Sequence, residues 1–186
     1  MSLKVLVIPE DPTYNGAILQ PLAERMLAEI GKQQARVKVL TDPKLGGIEQ
    51  ARRAIRTELP DRYRHVPLWL FFPDADEAGE MSQLEGEMRQ MGIALFGCAA
   101  QPEVEAWLLA GHRQRLGVPW SEVRQHSRLK EEVFAPFINA YGNPRLPDQG
   151  RAKLMQETLG QYRGLLSCCP ELQDLEQRLR RHLGAA

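Results

Sequence analysis

Cysteine is scarce in this chain, with three among 186 residues and two of them adjacent at Cys168 and Cys169. An odd count with no Cys-x-x-Cys pair excludes a disulfide framework and a Cys/His zinc site. A long apolar run is absent too: no stretch approaches the roughly 18 residues that a membrane span requires. The opening Met-Ser-Leu-Lys-Val-Leu-Val-Ile-Pro-Glu meets a carboxylate too early for a secretory signal. The expected compartment is therefore the reducing cytoplasm. Excess charge is also missing, because 24 Lys+Arg balance 24 Asp+Glu for a net charge of +0. Broad, charge-driven binding to nucleic acid or membrane is thereby excluded, and 43% hydrophobic residues exclude a disordered chain. No repeat or low-complexity segment interrupts the sequence.

What is present is an alternation of short apolar runs with amphipathic segments, the pattern of a parallel sheet covered by helices. Leu3–Ile8, Arg36–Leu40, Pro67–Phe72 and Ile93–Ala99 read as four strands, and Pro67–Phe72, the most apolar, as the central one. Helices are expected over Ala17–Ile30, Ile48–Leu59, Met81–Gln90 and Glu103–Ala110, the last opened by Pro102. After Gly111 the strand-like runs stop. Helical pieces follow at Ser121–Gln125, Leu129–Tyr141, Arg151–Leu159 and Leu172–Leu183. The expected organisation is an α/β core over residues 1–110 and a helical extension over 111–186 packed on it. Charge divides along the same boundary, with 12 basic and 16 acidic residues before it and 12 and 8 after it.

In an open α/β sheet, ligands bind beyond the carboxyl ends of the strands, and right-handed crossovers bring all those ends to one edge. Here those ends carry acids. The first strand runs into Glu10-Asp11, the third into Asp74-Ala75-Asp76-Glu77, and the fourth leads through Gln101-Pro102 to Glu103 and Glu105. Carboxylates gathered in a cleft repel one another unless a cation neutralises them. Hard oxygen ligands in this number suit Mg²⁺ or Mn²⁺, which would polarise a phosphoryl oxygen and generate hydroxide near neutral pH. Glu10, Asp74, Asp76 and Glu105 are the candidate catalytic and metal-binding residues. Glu103 is a further candidate acid, and Lys130 and Lys153 are candidate cations between which spacing does not choose. Arginines 52, 53, 56, 62 and 64, with Arg113, Arg115, Arg124, Arg128 and Lys130, are candidates for a phosphate-contacting rim. The four histidines lack ligand spacing, Gly46-Gly47 lacks the Lys-Ser/Thr of a P-loop, and Cys98 has no evident His/Asp partners.

Glu10 after the first strand, Asp74-x-Asp76 after the third, and Pro102-Glu103-Val104-Glu105-Ala106-Trp107-Leu108-Leu109 opening the next helix resemble the Toprim domain of OLD-type nucleases and RloB-like bacterial proteins. The helix motif, similar to P-x-x-E-x-W-L-L, is the most specific piece. The resemblance covers about residues 3–110 and implies a Rossmann-like, mostly parallel four-stranded sheet. It also implies metal-dependent cleavage of DNA or RNA, in bacterial proteins that often act with an ATPase partner in anti-phage defence, and it leaves open a homo-oligomer. The first motif departs from the family's pattern: no glycine follows Glu10, and Asn15 stands where a second acid is expected. Two other readings follow from the same residues. One is a catalytically degenerate Toprim-like module that binds and regulates a partner. The other is a small phosphatase or nucleotide-binding α/β protein with Asp74 as nucleophile.

Overall fold

In the computed structural model, which describes residues 2–11, 13–74 and 79–184, four strands form one all-parallel sheet. They are β1 (Lys4–Pro9), β2 (Arg36–Val39), β3 (Leu68–Phe72) and β4 (Ala94–Gly97), in the order β2-β1-β3-β4. This is a Rossmann-like α/β arrangement. The two interior strands are the two that are apolar on both faces: Leu68–Phe72 is buried throughout, and Val5–Pro9 likewise. The edge strand β2 alternates exposed and half-buried residues, as a strand covered on one side does.

Side chains alternate across the sheet and feed two cores. Val5, Val7, Leu68, Leu70 and Phe72 point to one face, whereas Leu6, Ile8, Trp69 and Phe71 point to the other. The second face is covered by α2 (Ile48–Thr57), the short α3 (Leu59–Tyr63) and α4 (Glu80–Gln90). The first face is covered by α1 (Gly16–Glu29), α5 (Glu105–Leu109) and the helices that follow Gly111. Those are α6 (Trp120–Val123), a π-helical turn at Lys130–Phe134, α7 (Ala135–Tyr141), α8 (Arg151–Leu159), α9 (Tyr162–Cys168) and α10 (Pro170–His182), preceded by a 3₁₀ segment at Ala110–Arg115. One hydrophobic cluster runs from Val5 through Trp107 to Leu179. The residues after Gly111 therefore share the core of the sheet.

Several boundaries differ from those the sequence predicts. The helix expected over Ile48–Leu59 breaks into α2 and α3 because Pro60 has no N–H to continue the ladder. The helix expected from Glu103 begins at Glu105, three residues past Pro102. Helix α9 was not predicted at all. Its buried residues Tyr162, Leu165 and Leu166 are contiguous with α8 and α10, and its two-turn length gives too little periodicity to read.

Trp107 anchors the junction. It is fully buried, meets Phe72 edge-on at a centroid distance of 5.7 Å, and its indole N–H donates to Glu171 Oε1 at 2.8 Å. Glu171 in turn accepts two 2.8 Å bonds from Arg124. A few residues on, Gly111 lies against α8, where an added Cβ would come within 2.5 Å of the Thr158 Cα. Backbone cannot step aside as a flexible side chain can. Gly111→Ala is expected to cost about 1–3 kcal/mol, the range for overpacking a filled interior, read as a lowered urea midpoint. An unchanged midpoint would show that the contact relaxes freely.

Candidate functional site

The site forms because two neighbouring strands end level with each other. Pro9 is paired with Phe72 across β1 and β3, so Glu10 and Asp74 emerge side by side. Glu10 Oε2 accepts the backbone N–H of Asp74 at 2.9 Å. Beyond β4 the chain continues alongside the β3 exit, with the Ala100 N–H donating to the Pro73 carbonyl at 2.9 Å. That brings the start of α5 to the same edge. Asp74 Oδ1 accepts the Val104 N–H at 3.1 Å and thereby satisfies one of the open donors of the helix start.

Lys130, on the π-helical turn, closes the cluster. Its Nζ lies 3.3 Å from Asp74 Oδ2 and 3.8 Å from Glu105 Oε1. Extra residues in a helical turn are often found at functional sites, where they re-aim a side chain. Of the two candidate lysines, the fold brings Lys130 to the acids. Lys153 is exposed on α8, and among the described residues no ion pair or hydrogen bond joins it to an acid of the cluster.

Burial controls the protonation of the acids. Glu105 is 3% exposed, and this desolvation pushes its carboxyl up from 4.5 to about 7, although Lys130 pulls the other way. Its Oε2 is buried without a partner, as is Glu103 Oε2. Burial also raises the Glu103 carboxyl, again opposed by Lys130. Burial works against the Lys130 ammonium, but Glu105, Asp74 and Glu103 together outweigh it and hold its proton more tightly than usual. The site thus holds more negative charge than its lysine neutralises. Among the described residues, no three His, Cys, Asp or Glu side chains are arranged as a ready metal cage. Asp76 and Glu77 lie outside the described residues.

Beside Glu105 opens a cleft of about 340 Å³, lined by Asn15, Lys130, Phe134 and Arg151 among others. Asn15 is buried at the start of α1, so the residue that replaces the expected second acid does face the same region. Arg151 was not singled out by the sequence. Its burial is set by helices distant in the chain, and no local spacing announces it. A larger cavity of about 730 Å³ lies among Ser2, Leu3, Lys4, the residues around Gly31 and His65, at the amino ends of β1 and β2. Among the described residues, none that lines it carries a side-chain carboxylate.

Most of the predicted arginine rim is already engaged. Arg52 is buried and paired with Glu49 and Glu80, Arg56 with Glu87, and Arg62 with Asp42 and Glu58. Arg124 is held by Glu171 and Arg128 by Glu132. Burial pushes the Cys98 thiol well up, which works against the thiolate that a nucleophile needs. The Gly46 N–H is taken by Gln50 Oε1 at 2.7 Å and is not offered to a phosphate. Among the described residues, no helix is long and apolar enough to cross a membrane. No family model, curated protein or solved structure matches this chain.

Proposed function

We propose that the chain is a Toprim-like nuclease that hydrolyses DNA or RNA with Mg²⁺ or Mn²⁺. The observation that carries this reading is the linked set Glu10, Asp74, Lys130 and Glu105 at the carboxyl edge of the sheet. The ATPase partner and the setting of anti-phage defence rest on the motif resemblance alone.

In chemical type these donors suit a hard divalent cation, although among the described residues no three of them form a ready cage. Glu10, Asp74 and Glu105 offer carboxylate oxygens, and one oxygen of Glu105 is buried without a partner. Mg²⁺ needs only one or two protein carboxylates, with water and substrate phosphate filling the rest. Bound there, such an ion supplies Lewis acidity and an activated water for phosphodiester hydrolysis. The remaining work falls to the chain. Glu10 pins the Asp74 backbone, and Lys130 offers positive charge where a phosphate oxyanion would gather negative charge. Glu105, whose carboxyl burial pushes up to about 7 in the metal-free protein, would give up its proton on joining the ligand set.

Incubating the protein with plasmid DNA and with single-stranded RNA tests the reading. Cleavage of at least one is expected with Mg²⁺ or Mn²⁺ and none with EDTA; cleavage that EDTA leaves untouched would overturn it. Calorimetry adds a signature of Glu105. A ligating carboxyl must lose its proton, so Mg²⁺ binding near pH 7 is expected to release up to about half a proton and to tighten as pH rises. Binding heats that do not depend on the buffer's ionisation enthalpy would remove Glu105 from the ligand set.

A specific observation favours a second reading, in which the module is degenerate and binds or regulates a partner. The Lys130 ammonium already lies between Asp74 and Glu105, in the position a metal would contest. If neither Mg²⁺ nor Mn²⁺ binds at millimolar concentration, this second reading stands and the nuclease reading falls.

A further inference from the structure

Arg151 is a buried cation with no counter-ion in contact: burial weighs against its charge, and Glu105, Tyr14 and Asp148 favour it from farther off. It is 8% exposed, yet among the described residues it takes part in no ion pair within 4.0 Å. Its Nη1 is spent on uncharged acceptors, the Asp148 carbonyl at 3.1 Å and Gln149 Oε1 at 2.7 Å, and its Nε is buried with no partner at all. Arginine is almost never buried unless it is paired, and an unmatched buried donor costs roughly 1–3 kcal/mol. A second such donor lines the same cleft: Asn15 is 2% exposed, and its Nδ2 also lacks a partner.

The surroundings hold Arg151 in place. Its guanidinium lies 4.4 Å from the Tyr14 ring centroid and 5.1 Å from that of Phe134, packed against two aromatic faces. The turn that delivers it contains two successive left-handed residues, Gln149 at φ +57° and Gly150 at φ +86°, a conformation uncommon for a non-glycine residue. The Asp148 carboxylate fixes this turn by accepting the N–H groups of Gly150 at 3.0 Å and Ala152 at 2.9 Å. A cation immobilised this way, with its Nε donor unmet, suits an anion that accepts hydrogen bonds and offers none.

From the unpaired donors of Arg151 and Asn15 in the cleft beside Glu105, we infer a subsite for a nucleotide phosphate, the one flanking the phosphodiester that the acid cluster would act on. The choice of a nucleotide rests on the nuclease reading; the anion subsite rests on the cleft itself. Tyr14, 38% exposed at the cleft, leaves aromatic surface on which a base or sugar can rest, a sequence-tolerant contact.

The test uses the full chain, labelled with ¹⁵N and kept in EDTA, so that no metal and no cleavage enter. Thymidine 5′-monophosphate and tetrathymidylate are expected to shift the Arg151 Nε–H and Asn15 Nδ2 resonances, whereas thymidine and acetate leave them in place. The free nucleotide and the oligomer separate a terminal phosphate from an internal one, and binding of either supports the subsite. Arg151→Met is expected to weaken binding at least tenfold. If that variant fails to fold, Asn15→Asp, of nearly identical size, serves instead, since it turns a donor into a repelling anion. Equal shifts with acetate, equal affinity for thymidine, absence of binding, or unchanged affinity in the folded variants would each overturn the inference. Because the measurement needs no metal, its failure leaves the cleavage assay standing, and loss of cleavage activity leaves the subsite standing.

Discussion

Asp74→Asn is expected to lower metal-dependent cleavage by about 10²–10³-fold, the range for losing one preorganised electrostatic group in an active site, while leaving the fold intact. The argument depends on how the two carboxylate oxygens are used. Oδ1 accepts the Val104 N–H at 3.1 Å, and Oδ2 faces Lys130 Nζ at 3.3 Å. An asparagine keeps an oxygen for the Val104 donor, so the start of α5 stays satisfied. It removes the charge, which is what a divalent cation and Lys130 both require. Asp74→Ala removes both functions and is expected to abolish cleavage and to lower stability by about 1–3 kcal/mol as well, since the Val104 N–H loses its partner. Measuring cleavage rate and urea midpoint on both variants separates the two effects. Full cleavage by the folded asparagine variant would sink the nuclease reading at this site. The same comparison applies to Glu10, whose carboxylate holds the Asp74 backbone, and Glu10→Ala is expected to lose cleavage for that reason.

Glu105→Gln is expected to make the metal-free protein more stable above pH 7 and not below pH 5. Burial raises this carboxyl from 4.5 to about 7, so between those values the folded chain holds a proton that the unfolded chain has released. The stabilising contribution is complete below about pH 4.5 and is lost as pH rises through about 7. Above that, the wild-type chain carries a destabilisation on the order of 3 kcal/mol. Glutamine has no charge to desolvate. Its amide inherits a place where one oxygen already lacks a partner, which offsets about 1–3 kcal/mol of the gain and leaves at most about 2 kcal/mol. Urea unfolding in EDTA at pH 5 and pH 8.5 checks this. An equal difference between the two proteins at both values would show that Glu105 is not titrating as its burial demands. The variant is also expected to lose the proton release that accompanies Mg²⁺ binding, which links the stability measurement to the proposed function. A buried acid that destabilises the empty fold at neutral pH is the kind of cost found at sites kept for function.

The sequence alone determined the layering. Strands such as Leu68–Phe72 declare themselves because both faces must be apolar when helices cover both, and the Glu10, Asp74 and Glu105 positions follow because each directly succeeds such a run or opens the next helix. That those acids lie at one edge was legible too, since parallel strands joined by right-handed crossovers bring their carboxyl ends to the same edge. What the sequence left open was every pairing made across long chain separations. It offered Lys130 and Lys153 equally, and only the docking of the helical extension on the sheet set Lys130 against Asp74, fifty-six positions away. It pointed to a rim of arginines, most of which the folded chain ties up in ion pairs, and it passed over Arg151, which tertiary packing buries without one. Periodicity reports which face of an element is apolar, a local property. Which charge meets which depends on how those faces stack, and that was decided by the shared core running from Val5 to Leu179.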